Sequence, residues 1–61
     1  MTPDEERWAE AGQILKWKGS DAPAFVVERI ATLGAAGDRA GVERFEAIGT
    51  RLEALIHAAR A

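Results

Sequence analysis

The sequence predicts an all-α protein of three helices joined by short turns. Apolar residues recur at helical spacing, no segment alternates apolar and polar residues over the length of a strand, and turn-forming residues fall into two short clusters. The helices are expected at about 3–18, 22–36 and 39–59, within a single domain, 1–61. Because the connections are only two or three residues long, we expect consecutive helices to pack as antiparallel or steeply crossed neighbours.

Helix one is predicted from the residues at its two ends. Thr2 precedes Pro3 and is followed three positions later by Glu5, the pattern of an N-cap with a capping-box partner. The first turn is acidic, the last turn is basic, and Gly19 is placed to end the helix. The stripe expected to face the core consists of Trp8, Ala11, Gly12 and Leu15. Trp8 is therefore the predicted core ring.

Helix two is expected to begin after a cap at Ser20 or Asp21, since proline is tolerated in a first helical turn and Pro23 follows. Ala36-Gly37 is expected to close it. Its apolar arc consists of Ala22, Phe25, Val26, Ile30, Leu33 and Ala36.

Arg29 is the anomaly of helix two, because it projects within about 40° of the centre of that arc. A charge placed there must either be paired or reach solvent along its aliphatic stem. We expect Glu46 or Glu53, on one flank of helix three, to be its partner. The alternative is that its planar guanidinium binds an anionic ligand or the carboxylate of a partner protein.

Helix three is expected to start after a cap at Asp38. Its core stripe consists of Val42, Phe45, Ile48, Leu52, Leu55, Ile56 and Ala59. Gly49 lies inside this stripe, and glycine in a helix costs about 1 kcal/mol relative to alanine. The sequence therefore predicts a close approach at Gly49 by another backbone or by a bulky ring such as tryptophan.

Trp17 cannot share a core face with Trp8, because nine positions at about 100° per residue place the two rings on opposite faces of helix one. One interpretation is that Trp17 folds over the 19–24 turn, against Pro23 or the start of helix two. The other is that it is an exposed apolar anchor at a protein interface, where tryptophan is enriched. Ile14, on the margin of the core stripe, is a second candidate interface residue.

The length of the chain also favours association with another chain. A chain of 61 residues buries only about 60% of the surface that it exposes when unfolded, and its core rarely supplies more than about 3–5 kcal/mol. Small folds usually add a disulfide, a metal or a partner, and this chain has no cysteine and one histidine. Association with another chain is what remains, and we expect a homo-oligomer, with a dimer as its form.

Composition argues against several functional classes. Net charge is −2 and the eight Lys and Arg residues are dispersed, unlike the basic patch of a nucleic-acid binder. No apolar run is long enough to span a membrane, and the acidic start has no feature of a secretory signal, so a cytoplasmic location without membrane contact is expected.

No catalytic residue, metal site or cofactor site is predicted. Glu53 and His57 stand four positions apart, but one such pair is common by chance. Ser20 has no sequence neighbour that would activate it as a nucleophile.

Three stretches carry a resemblance to a known family: Trp8-Ala9-Glu10-Ala11, then residues 21–30 (DAPAFVVERI), then residues 36–45 (AGDRAGVERF). They resemble a family of very short alphaproteobacterial proteins, of sphingomonad type, that is catalogued only as a domain of unknown function. The resemblance implies a small bacterial cytoplasmic protein and transfers no site residues. Lys16-Trp17-Lys18 is not among the stretches that carry the resemblance.

These observations predict a small, non-enzymatic helical interaction or regulatory module that acts as a homo-oligomer through Trp17 and Ile14. Two alternatives stay open. The chain is a sensor of a small ligand or anion that uses Arg29 in a cleft between helices two and three, or it is an accessory subunit of a larger assembly.

Overall fold

The computed structural model describes residues 1–60, which are all-helical and contain no strand. Helix α1 spans Pro3–Lys18, a single 3-10 turn spans Gly19–Asp21, α2 spans Ala22–Ala35 and α3 spans Arg39–Arg60. Because the 3-10 turn joins α1 to α2 without a break, the described chain consists of two uninterrupted helical segments, 3–35 and 39–60. The all-α prediction is confirmed, and the predicted three-helix division is met only in part, since a helical turn stands where a separating loop was expected.

The two clearest cap predictions are confirmed. The Thr2 hydroxyl accepts a hydrogen bond from the Glu5 N–H at 3.2 Å, and the Glu5 carboxylate accepts one from the Thr2 N–H at 3.2 Å. At the start of α3, the Asp38 carboxylate accepts a hydrogen bond from the Gly41 N–H at 2.9 Å. Both caps satisfy backbone donors that a first helical turn leaves free.

The predicted side-chain cap of α2 is wrong. Asp21 occupies the cap position with φ −87° and ψ −2°, and its side chain makes no capping hydrogen bond. A capping side chain needs the extended backbone conformation, which the 3-10 turn does not provide. The backbone leads into α2 instead, through the Ala22 N–H bonded to the Gly19 carbonyl.

The turn between α2 and α3 ends α2 at the predicted glycine. Gly37 has φ +74°, in the left-handed region that favours glycine. The Asp38 N–H donates to the Leu33 carbonyl at 2.9 Å, and the Gly37 N–H donates to the Gly34 carbonyl at 3.1 Å. This pair of bonds is a Schellman motif, and it reverses the chain so that α3 packs back along α2.

A small core lies between α1, α2 and α3. Its buried side chains are Ala11, Ala22, Val26, Ile48 and Leu52. A Cβ built on Gly49 would lie 3.2 Å from Cγ1 of Val26, so the close approach predicted at this glycine exists. It comes from an aliphatic side chain of α2, and the expected tryptophan partner is wrong.

Trp8 is not the core ring that periodicity predicts, because it is 40% exposed. The Arg51 guanidinium carbon lies 5.7 Å from its ring centroid, and one Arg51 nitrogen donates to the Asp4 carboxylate at 2.5 Å. Trp8 is thus flanked by a charged side chain of α3 at the edge of the α1–α3 contact. A helical wheel gives the direction of a side chain but not the crossing of two helices, which decides what covers it.

Ion pairs join α1 to α3 at two points. Arg44 bonds to the Glu10 carboxylate through two of its nitrogens, and Arg51 bonds to Asp4. The hydrogen bond and charge of Glu10 raise the pKa of Arg44 above its ordinary value. Arg44 and Arg51 are seven positions apart, two turns along one flank of α3, and this spacing lets both reach α1.

Across residues 1–60, no helix combines the length and the apolar character that crossing a bilayer requires.

Candidate functional site

The most exposed aromatic side chain of the chain is Trp17, at the end of α1. It is 68% exposed, and its ring meets Phe25 of α2 edge to face, with centroids 5.2 Å apart and an interplanar angle of 74°. The Lys18 ammonium nitrogen lies 4.1 Å from the Trp17 centroid and 5.1 Å from that of Phe25. The start of α2 therefore supports the ring from one side, as one interpretation of the sequence predicted, and leaves two-thirds of it in solvent.

Arg29 extends this feature along α2. It is exposed, and its guanidinium carbon lies 5.6 Å from the centroid of Phe45 in α3. Phe25 and Arg29 are four positions apart and so share a face of α2. We call this face the aromatic surface and define it by Trp17, Lys18, Phe25, Arg29 and Phe45.

The partners predicted for Arg29 are wrong. Within residues 1–60, Arg29 forms no ion pair with Glu46, Glu53 or any other carboxylate. The physical reason is that both glutamates line a groove on the other flank of α2. Arg29 instead reaches solvent, with its guanidinium over an aromatic ring. Its role as a ligand-binding residue stays a prediction.

A shallow groove of about 290 Å³ runs along the contact between α2 and α3. We call it the seam groove, and the lining residues used below are Pro23, Val27, Ile30, Glu46, Gly49 and Glu53. Val27 is 66% exposed and contributes apolar surface to this groove. The groove thus has an apolar wall and two carboxylates.

A second, wider groove continues from the first, since Pro23, Thr50 and Glu53 line both. It runs between the 3-10 turn and the last turns of α3, and it brings Ser20 and His57 to the same depression as Glu53. No hydrogen bond joins these three side chains in the described part of the chain. The arrangement therefore lacks the base-to-hydroxyl contact that activates a serine.

Among the described residues, no three histidine, cysteine or carboxylate side chains come together in a way that could hold a metal ion. Glu53 and His57 are both exposed and remain a pair on one helix.

Ile14, the second predicted interface residue, is half-buried and packs against the core. Part of its surface is thus already covered by its own chain. Its interface role stays a prediction, and Trp17 is the more exposed of the two candidates.

Three residues of these surfaces are not predicted as site residues from the sequence. Lys18 lies in the basic last turn of helix one, Phe45 in the core stripe of helix three, and Val27 outside the apolar arc of helix two. Val27 carried a usable signal, because it is apolar and lies outside the arc of α2 that faces the core. The contact of Lys18 with Phe25 has no sequence signal, since it depends on the chain turn at Gly19.

The molecule exposes more surface than a compact monomer of its mass. Its accessible surface is 4334 Å², whereas about 3,900 Å² is expected at 6.6 kDa. The excess is about 400 Å². Trp17 and Val27 are among the large hydrophobic side chains that are exposed.

Comparison with known proteins gives one positive result. The profile of a family described as "Family of unknown function (DUF6961)" matches residues 3–60. Comparison with curated proteins and with solved structures finds no match.

Proposed function

This chain belongs to DUF6961, a family of unknown function, and we propose that it is a small, non-enzymatic interaction module that acts by binding a second copy of itself. The observation that carries the proposal is the 68% exposure of Trp17 on a molecule with a core of five buried side chains. An alphaproteobacterial origin and a cytoplasmic location, both expected from the resemblance, belong to the same proposal.

The exposed part of Trp17 is large enough to matter for binding. A tryptophan side chain buries about 150–250 Å², so two-thirds of it offers about 100–170 Å². At about 25 cal/mol per Å², covering that area is worth about 2.5–4 kcal/mol. Association costs about 4–15 kcal/mol in lost translational and rotational freedom. Trp17 alone does not offset this cost, so neighbouring apolar groups must be covered with it.

The size of the molecule sets the scale of the contact. A stable interface covers about 800 Å² on each partner, which is nearly one-fifth of the 4334 Å² surface. A patch of that size around Trp17 must extend over Phe25 and its neighbours. We therefore expect association in the micromolar range, where a few well-placed rings supply most of the binding free energy.

Light scattering coupled to size-exclusion chromatography tests the proposal with one variant and one control. Trp17→Ala removes the exposed ring, whereas Glu6→Gln changes an exposed polar residue of the same helix eleven positions earlier. The expected result is an oligomer for the wild type and for Glu6→Gln, and a monomer for Trp17→Ala at the same micromolar concentration. Circular dichroism verifies that all three remain helical. A wild type that stays monomeric at high micromolar concentration would contradict the proposal.

A second candidate function, the sensing of a small anion, is favoured by the setting of Arg29. Its guanidinium is exposed and forms no ion pair with a carboxylate within residues 1–60, so its planar edge is available to an anion. Inorganic phosphate and sulfate, added during thermal unfolding, test this function. A midpoint that rises with the anion in the wild type and not in Arg29→Met supports it, and identical responses of the two proteins contradict it.

A further inference from the structure

The aromatic surface and the seam groove lie on opposite sides of α2, with two cations in contact with the rings of the first and two carboxylates lining the second. Phe25 and Val27 are two positions apart, which at about 100° per residue places them about 200° apart around the helix. The aromatic surface has Lys18 and Arg29 in contact with its rings. Two exposed carboxylates, Asp21 and Glu28, lie four positions before and three positions after Phe25 and so on the same side of α2. The seam groove has Glu46 and Glu53 beside Val27 and Ile30.

None of the four charged side chains that contact the rings or line the groove forms an ion pair within residues 1–60. The ion pairs among residues 1–60 join Arg7, Arg44 and Arg51 to Asp4, Glu6 and Glu10. Lys18, Arg29, Glu46 and Glu53 take no part in them. A contact between the two surfaces would bring two cations toward two carboxylates and cover apolar side chains on both sides.

We propose that copies of this chain associate head to tail, with Trp17 of one copy seated in the seam groove of the next. Lys18 and Arg29 of the first copy then face Glu46 and Glu53 of the second. This inference rests on the proposed self-association and adds its geometry. The groove offers about 290 Å³ next to exposed Val27, and its apolar wall suits the indole ring.

Lys18 and Arg29, the charged groups in contact with the rings, favour this geometry over a symmetric one. A two-fold contact places the same patch of both copies face to face. It would bring the Lys18 and Arg29 of one aromatic surface against those of the other, and like charges at an interface oppose binding. A head-to-tail contact pairs unlike charges instead. It also leaves one Trp17 and one groove free in a dimer, so larger species are expected as the concentration rises.

Two variants that each disable one half of the contact test the geometry. Trp17→Ala removes the ring and keeps the groove, and Val27→Arg blocks the groove with a cation and keeps the ring. Both side chains are about two-thirds exposed, so both variants are expected to stay folded. Each variant alone is expected to be monomeric where the wild type associates. Their equimolar mixture is expected to form a one-to-one heterodimer that does not grow, because it contains one intact ring and one intact groove.

A charge-reversal pair provides an independent readout. Arg29→Glu and Glu53→Arg are each expected to weaken self-association by about tenfold or more. Mixing the two proteins is expected to recover it, because each half then meets an opposite charge. In both experiments, sedimentation velocity measures the degree of association of the separate and the mixed proteins.

The outcomes separate the two proposals. If the wild type associates but neither mixture recovers association, the head-to-tail geometry is wrong and the proposed self-association stands. Undiminished association of Val27→Arg alone has the same meaning, since it would show that the groove is not part of the contact. If the wild type is monomeric at every concentration, both the proposed self-association and the head-to-tail geometry are wrong.

Discussion

Replacing Gly49 of α3 by alanine tests the packing of α2 against α3 at a single atom, and the same replacement at Gly12 of α1 is its control. Alanine is favoured over glycine in a helix by about 0.8–1.0 kcal/mol. At Gly12, a new Cβ meets nothing within 4 Å. Gly12→Ala is therefore expected to raise the free energy of unfolding by about 1 kcal/mol and the thermal midpoint by about 4–8 °C.

At Gly49 the new Cβ would contact another side chain. The new Cβ would lie 3.2 Å from Cγ1 of Val26, a side chain that is only 3% exposed. Overpacking a close-packed core costs about 1–3 kcal/mol, which cancels or exceeds the gain in helix propensity. We expect Gly49→Ala to lower the free energy of unfolding by about 0–2 kcal/mol.

Urea unfolding followed by far-UV circular dichroism measures both variants, with Gly12→Ala as the control for intrinsic helix propensity. All proteins are compared at the same low concentration, because self-association would add to apparent stability. The reasoning is refuted if Gly49→Ala stabilises the protein as much as Gly12→Ala does. That result would show that Val26 does not approach α3 closely.

Three further variants probe the core, a cap and the aromatic surface. Leu52→Ala removes a side chain that is 1% exposed and is expected to lower the free energy of unfolding by about 2–5 kcal/mol. A urea unfolding midpoint close to that of the wild type would contradict this. Asp38→Ala removes the capping hydrogen bond to the Gly41 N–H and is expected to lower the free energy of unfolding by about 1 kcal/mol. Asp21→Ala removes no capping bond and is expected to change it by less than about 0.5 kcal/mol. Equal losses of the free energy of unfolding in urea would refute the assignment of the two caps. Arg29→Met is expected to stay within about 0.5 kcal/mol of wild type, because methionine replaces the contact with Phe45 by a sulfur–aromatic one; a large thermal shift would show that Arg29 is held by more than the ring.

The ends of the helices were predictable because they depend on neighbours in sequence. The Thr2 capping box, the Asp38 cap and the closure at Gly37 each involve residues within five positions of one another. Local steric and hydrogen-bonding rules are enough for such features. Asp21 failed as a cap for a reason that is also local, since the 3-10 turn holds its backbone in a conformation that a capping residue does not adopt.

The surroundings of individual side chains were less predictable. Periodicity placed Trp8 on the face of α1 that looks toward the core, but it gave no information on where α3 crosses that face. Arg29 was likewise placed near the arc of α2, but the flank on which Glu46 and Glu53 lie depends on how the two helices are rotated against each other. The candidate site thus follows from helix crossing and rotation, which a single sequence does not specify.

A feature predicted by simple counting links the fold to the proposed function. A chain of this length cannot bury every large apolar side chain that its helices present. The structure leaves Trp17 and Val27 on opposite flanks of α2. Trp17 is in contact with the Lys18 ammonium group, and Val27 lines the same groove as Glu46 and Glu53. The proposed contact would cover both apolar side chains.

The fluorescence of a protein that retains Trp17 as its only tryptophan tests the central claim most directly. Trp8→Phe leaves Trp17 as the sole indole of the chain, and its emission is recorded as the protein concentration rises through the micromolar range. We predict a progressive shift to shorter wavelength as a second copy covers the ring, with a parallel rise in molecular mass. Emission that stays at the wavelength of a solvated indole at every concentration would contradict the account.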